Sequence, residues 1–143
     1  MAINFSDRAI KTFGLATCEA WRLGRRQPGN AHVLLGLLAE GGGLAPVILQ
    51  NEGVTLDAAS REVEKLLARY EQAGSSGIAI STVIDAAIQI AEELGDSQVG
   101  TEHLLLGLIR NKEGPAAEIL IQLGANLEAL RKDLLVASGH EAQ

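Results

Sequence analysis

Two stretches of this chain are apolar on nearly every side of the helix they would form. The first, Gly29-Asn-Ala-His-Val-Leu-Leu-Gly-Leu-Leu-Ala39, carries Val33, Leu34, Leu35, Leu37 and Leu38. The second, Gly100-Thr-Glu-His-Leu-Leu-Leu-Gly-Leu-Ile-Arg110, carries Leu104, Leu105, Leu106, Leu108 and Ile109 at the same positions, displaced by 71 residues (100 minus 29). A helix without a polar face is a buried helix. Both hold a mid-helix glycine, Gly36 and Gly107, where Gly costs ~1 kcal/mol relative to Ala. The repetition of that cost predicts a second helix crossing close at each. Asn30 and Thr101 are read as the capping residues of these two helices.

The remaining elements have one apolar stripe each. Ser6 caps a first helix with Phe5 as its staple, and Ala9, Ile10, Phe13, Ala16, Ala20 and Leu23 keep helical spacing as far as Gly24. A short helix from Leu44 to Asn51 tolerates Pro46 in its first turn and ends before Gly53. Thr55 caps a fourth helix with Leu56, Ala59, Val63, Leu66, Leu67 and Tyr70 on one side. The order then restarts. A helix beginning between Gly77 and Thr82 ends at Leu94-Gly95, the second buried helix follows, a short helix leads to Leu123-Gly124, and Asn126 caps the last one.

Identities at the same offset extend through the chain: Ala16/Ala87, Ala20/Ala91, Leu23-Gly24/Leu94-Gly95, Gly43/Gly114, Ile48-Leu49/Ile119-Leu120 and Gly53/Gly124. Four helices per half predict an all-α, eight-helix bundle of two repeats related by pseudo-two-fold symmetry. The repeats span about residues 5–71 and 78–138, joined by a linker at 72–77 and followed by a frayed tail at 139–143, all within one domain over 1–143.

Composition narrows the chemistry. At 47% hydrophobic but only 3% aromatic, the core must be aliphatic, as in helical bundles. No apolar run reaches the ~20 residues of a membrane span, so no membrane partner is expected. Net charge is −6, and all of the excess lies in residues 73–143, with ten acids against four bases; residues 1–72 hold eight of each. That sign disfavours nucleic acid and suits a cationic partner surface. The single Cys18 makes no internal disulfide and no four-ligand zinc site, which points to a reducing, cytoplasmic compartment. Cys18 lacks a His–Asp partner set for nucleophilic catalysis and reads as a half-buried thiol. No Gly-Lys pair exists, so a phosphate-binding loop of the Gly-Lys-Ser/Thr kind is excluded and no cofactor is expected.

The doubled motif resembles the Clp repeat, two copies of which form the N-terminal domain of Clp/Hsp100 chaperones, nearest the ClpC and ClpA type. The resemblance rests on Leu23-Gly24, Gly29-x-x-His32-x-Leu-Leu-Gly-Leu, Leu94-Gly95 and Gly100-Thr-Glu-His-Leu-Leu-Leu-Gly-Leu, and covers about residues 5 to 138. It implies an eight-helix domain, monomeric in isolation. Such a domain docks client and adaptor proteins ahead of an ATP-driven unfoldase and its protease, in the cytoplasm or in a plastid stroma. A free-standing accessory protein of the ClpT type, docking on a Clp protease, is the other setting it implies.

Several positions depart from the family pattern. The histidine after Leu-Gly is Arg25 in one half and Asp96 in the other. The acid of Gly-Thr-Glu is Glu102 in the second half but Ala31 in the first, and the second half starts Ser76-Gly77-Ile78. In members that read phosphoarginine, those acids and the threonines near each half's start build paired sites. Here the first half keeps Ser6 without the acid, and the second keeps the acid with Gly77. Glu102 either reads arginine at one site in place of two or only neutralises the free N–H groups of its own helix.

Three further groups invite chemistry. His32 and His103 share a repeat position but lack an i, i+4 ligand partner, so they are read as packing or capping a first helical turn, with no metal bound. Glu102 and His103 together would serve a small helical enzyme as an acid–base pair, although neighbours on a helix face different ways. Arg22, Arg25 and Arg26 form the only basic cluster. They are either a solvated helix end or a dock for an acidic adaptor or the parent ATPase.

Overall fold

In a computed structural model, the structure describes residues 4–72, 80–112 and 114–140. Eight helices are present among them: α1 (Asp7–Arg22), α2 (Asn30–Glu40), α3 (Leu44–Asn51), α4 (Leu56–Gln72), α5 (Ile80–Glu93), α6 (Thr101–Arg110), α7 (Pro115–Gln122) and α8 (Leu127–Ala137). The expected linker from residue 73 onward, Gly77 included, lies outside the described residues.

The two all-apolar helices form the centre. α2 and α6 contact each other and most of the other helices, with α1 laid on α2 and α5 on α6. The mid-helix glycines mark those crossings. A Cβ on Gly36 would lie 2.5 Å from the Thr12 carbonyl oxygen and 2.9 Å from the Ala16 nitrogen. A Cβ on Gly107 would lie 3.3 Å from the Val83 carbonyl oxygen. Ser6, Thr55 and Asn126 accept from the backbone N–H of Ala9, Ala58 and Ala129 at 3.1, 3.2 and 3.0 Å, as caps do. α1 and α5 end alike, with Gly24 and Gly95 left-handed (φ 81° and 75°).

The structure differs from the sequence reading at several points. Asn30 and Thr101 do not cap their own helices, whose N-caps are Gly29 and Gly100. Asn30 Oδ1 instead accepts from Ala116 N at 2.7 Å, and Thr101 Oγ1 from Ala45 N at 3.4 Å. Each thus serves the short helix of the opposite repeat. A side-chain acceptor looks the same in sequence whichever helix it satisfies.

Two dipeptide strands, β1 (Asn4–Phe5) and β2 (Gln98–Val99), pair in parallel, Asn4 with Gln98 and Phe5 with Val99. Two residues carry no period for sequence to reveal. Phe5 packs edge-on against Phe13, with ring centroids 5.7 Å apart. Ile10, expected in the core stripe, is 59% exposed, because Ala9, Thr12, Ala16 and Ala20 are the buried positions of α1. Cys18 is exposed, not half-buried. The expected frayed tail is anchored at its start: His140 Nε2 lies 2.9 Å from Asp96 Oδ2 and its N–H reaches the Leu135 carbonyl at 2.7 Å.

Candidate functional site

The short ladder decides which functional residues meet. Ser6 N–H donates to the Val99 carbonyl at 2.9 Å, which sets the start of α1 beside the start of α6. Ser6 and Glu102, expected to belong to different half-sites, therefore line one depression of about 380 Å³ with Arg8, Gly43, Val47 and Gln98. The two residues come from opposite repeats, a pairing that only the strand register reveals.

Glu102 lies in the first turn of α6, where the positive helix end favours a carboxylate. Its side chain is 17% exposed, open enough to meet a ligand and shielded enough to strengthen a charge pair. The Ser6 hydroxyl, occupied as an acceptor by Ala9 N–H, keeps its own proton to donate. Arg8 at the rim is held by Glu40 at 2.7 Å, while Glu40 Oε1 accepts from Gly43 N–H at 2.8 Å. The pocket thus offers a partly shielded carboxylate, with the His103 ring behind it, next to a hydroxyl donor.

Behind Glu102 lies a histidine network. Gly100 N–H donates to His103 Nδ1 at 2.8 Å, so Nε2 carries the proton and donates to Asp96 Oδ2 at 2.7 Å. Asp96 also accepts from His140. Burial pulls the His103 pKa down, but the Glu102 and Asp96 carboxylates, which favour the protonated ring, outweigh it, and the net shift is upward. Glu102 Oε1 approaches His103 Nδ1 to 3.2 Å. The expectation that these neighbours diverge therefore fails, because both side chains curl round the N-cap Gly100. His103 is nonetheless only 2% exposed, too deep to reach a substrate.

The first repeat has gone another way. His32 Nδ1 accepts from Gly29 N–H at 2.9 Å, but its buried Nε2 has no partner among the described residues. Burial first, and the Arg25 charge second, lower its pKa to about 4. The histidine-as-cap reading holds in both halves. Ala31 at the Glu102 position is buried.

The basic cluster is elsewhere. Arg22 is held by Glu19 at 2.6 Å and by Ser60 Oγ at 3.0 Å, and lines a separate depression on α1 and α4. Arg26 is exposed, and its carbonyl accepts from the Trp21 indole N–H at 3.2 Å. Arg25 is half-buried near His32. The sequence reading did not anticipate a groove of about 640 Å³ in the second repeat, floored by Leu94, Leu106, Ile109, Leu127 and Leu135. Those leucines read as ordinary core positions. Among the described residues no cluster of three His, Cys, Asp or Glu is placed to hold a metal ion, and no single helix is long and apolar enough to cross a membrane.

Known proteins share this fold. The model of the Clp repeat (R) N-terminal domain matches residues 4–82 and again 79–143. The chain is 41% identical over 139 residues to the negative regulator of genetic competence ClpC/MecB of Bacillus subtilis, covering 95% of this chain and 17% of that protein. It is 40% identical over 148 residues to an ATP-dependent Clp protease ATP-binding subunit ClpA homolog of Guillardia theta, covering 98% and 18%. The chain thus spans less than a fifth of these relatives. The N-terminal domain of the chaperone ClpD from Arabidopsis thaliana superposes with a TM-score of 0.79 at 26% identity, over 94% of this chain and 97% of that one. On both repeats and nearly its whole length, the chain belongs to the Clp repeat N-terminal domain family.

Proposed function

We propose that this chain is a non-catalytic docking domain that presents client and adaptor proteins to a Clp-type ATPase and its protease, in the cytoplasm or a plastid. We further propose that its contact with them runs through an arginine side chain seated in the Ser6–Glu102 pocket. The carrying observation is the meeting of Ser6 and Glu102 across the two repeats. A guanidinium matches a partly shielded carboxylate in charge and in planar geometry, and the acidic second repeat steers cations towards it. An enzymatic role for Glu102 and His103 fits less well, since the imidazole is buried and engaged at both nitrogens.

Calorimetric titration with an arginine-containing peptide tests this. One site per chain is expected, Glu102→Ala should weaken binding by about 1.5–3 kcal/mol, the range for a hydrogen bond to a charged group, and Ala31→Glu should leave that site's affinity unchanged. Equal affinities for wild type and Glu102→Ala would reduce Glu102 to a helix-end charge.

A further inference from the structure

Of the large apolar side chains exposed among the described residues, two of the most exposed lie on one face of α1: Ile10 at 59% and Trp21 at 65%. They are 11 residues apart (21 minus 10), three helical turns, so they point the same way. Between them on that face lie Gly14 and the exposed Cys18. Nothing stands within 4 Å of where a Gly14 Cβ would be.

Two comparisons inside the molecule give this face meaning. At the same repeat positions α5 carries Ser81, Asp85, Gln89 and Glu92, all exposed. The fold is therefore satisfied by a polar face here, and Ile10, Gly14, Cys18 and Trp21 answer to something else. The second comparison is with Gly36 and Gly107. Each of those mid-helix glycines lies under a crossing helix, whereas Gly14 has the same form with its crossing place empty. A solvated mid-helix glycine costs ~1 kcal/mol against alanine and returns nothing by itself.

The rim indicates the charge of what would cross. Lys11 flanks the stripe on α1, Arg22 is neutralised by Glu19, and Arg26 follows at the end where its carbonyl fixes the Trp21 indole. Asp7 at the opposite end is the acid on this exposed face, since Glu19 turns to Arg22.

We propose that the outer face of α1 is a docking surface for an acidic amphipathic helix of a partner protein, which crosses α1 over Gly14 with Ile10 and Trp21 as its apolar anchors. Aromatic anchors commonly carry such interfaces, and a helix laying its apolar face on another is a recurring recognition mode. This surface is distinct from the Ser6–Glu102 pocket and does not depend on it.

The probe is a synthetic helical peptide of the length of α1, 16 residues, with leucines at helical spacing and glutamates on the flanks. A second peptide has lysines in place of the glutamates. Trp21 is the only tryptophan of the chain, so its emission reports the face directly. The acidic peptide should shift the emission to the blue and saturate, more weakly as salt is raised. Gly14→Asp copies the residue α5 already carries, so the fold should be retained. It should weaken binding about ten-fold or more, the scale of losing one interface anchor, and leave arginine-peptide binding at Glu102 intact. The proposal is overturned if neither peptide binds, if both bind equally, or if Gly14→Asp binds undiminished. It is equally overturned if the shift appears only when the protein alone is concentrated, or only with phosphatidylglycerol vesicles.

Discussion

The side chain of Asn30, at the start of α2, holds the backbone N–H of Ala116, at the start of α7 and 86 residues away, with a 2.7 Å hydrogen bond. Both groups are buried. Asn30→Ala leaves the Ala116 N–H without an acceptor, which costs about 1–3 kcal/mol. Thr101→Val, which breaks the longer 3.4 Å bond to Ala45, should cost less. Urea denaturation of both variants measures the difference, and an Asn30→Ala protein as stable as wild type would refute the assignment.

The glycine crossings make a graded prediction. Gly36→Ala drives a methyl into the backbone of α1, where its nearest neighbour would be 2.5 Å away, and should destabilise by roughly 1–3 kcal/mol. Gly107→Ala meets its nearest atom at 3.3 Å, and the ~1 kcal/mol gained in helix propensity should bring it close to neutral. Gly107→Leu, by contrast, overfills the crossing and should cost about 1–3 kcal/mol. Thermal melting of the three variants orders them; a reversed order for the two alanines would show that α5 packs tighter than α1.

The paired histidines should pull the pH profile of stability in opposite directions. Folded His32 resists protonation down to about 4, against 6.5 for an ordinary histidine, through burial and then through Arg25. Between those values the unfolded chain holds more protons, so stability is lost as pH falls across the window, by on the order of 3 kcal/mol in total. His32→Asn keeps an acceptor for Gly29 N–H and should flatten this loss. His103 has a raised pKa, so its contribution is fully present below 6.5 and fades as pH rises through its folded value. His103→Asn should accordingly steepen the acid decline. Denaturation midpoints from pH 4 to pH 8 read both slopes, and parallel profiles for the two variants would contradict the asymmetry.

Ser6→Asp separates the two jobs of that residue. Aspartate caps a helix as well as serine does, so α1 should keep its stability, while the pocket gains a second carboxylate. Affinity for a plain arginine peptide should rise and affinity for a phosphorylated arginine should fall. An isothermal titration in which neither changes would remove Ser6 from the binding site.

Much of this was legible along the chain. Periodicity marked the helices, the paired glycines marked where helices cross, and Ser6, Thr55 and Asn126 stood where caps belong. What escaped was information about which half answers which. Asn30 and Thr101 satisfy helices beyond the linker, and the two-residue ladder that brings Ser6 to Glu102 is too short to show a pattern. Ile10 was misread for a related reason: four small or polar positions, Ala9, Thr12, Ala16 and Ala20, already fill the close approach to α2, so the larger residue had to turn outward.

The reciprocal bonds at Asn30 and Thr101 also constrain how the halves drift apart. Asn30 is carried by the first repeat but completes a helix of the second, and Thr101 does the reverse. One acceptor is a carboxamide and the other a hydroxyl, so chemical identity has already been relaxed. The demand that remains is for an oxygen at the right place, and it is set by the other repeat's backbone. Neither half is therefore free to vary as an independent tandem copy, since an aliphatic replacement in one is registered as fraying in its twin.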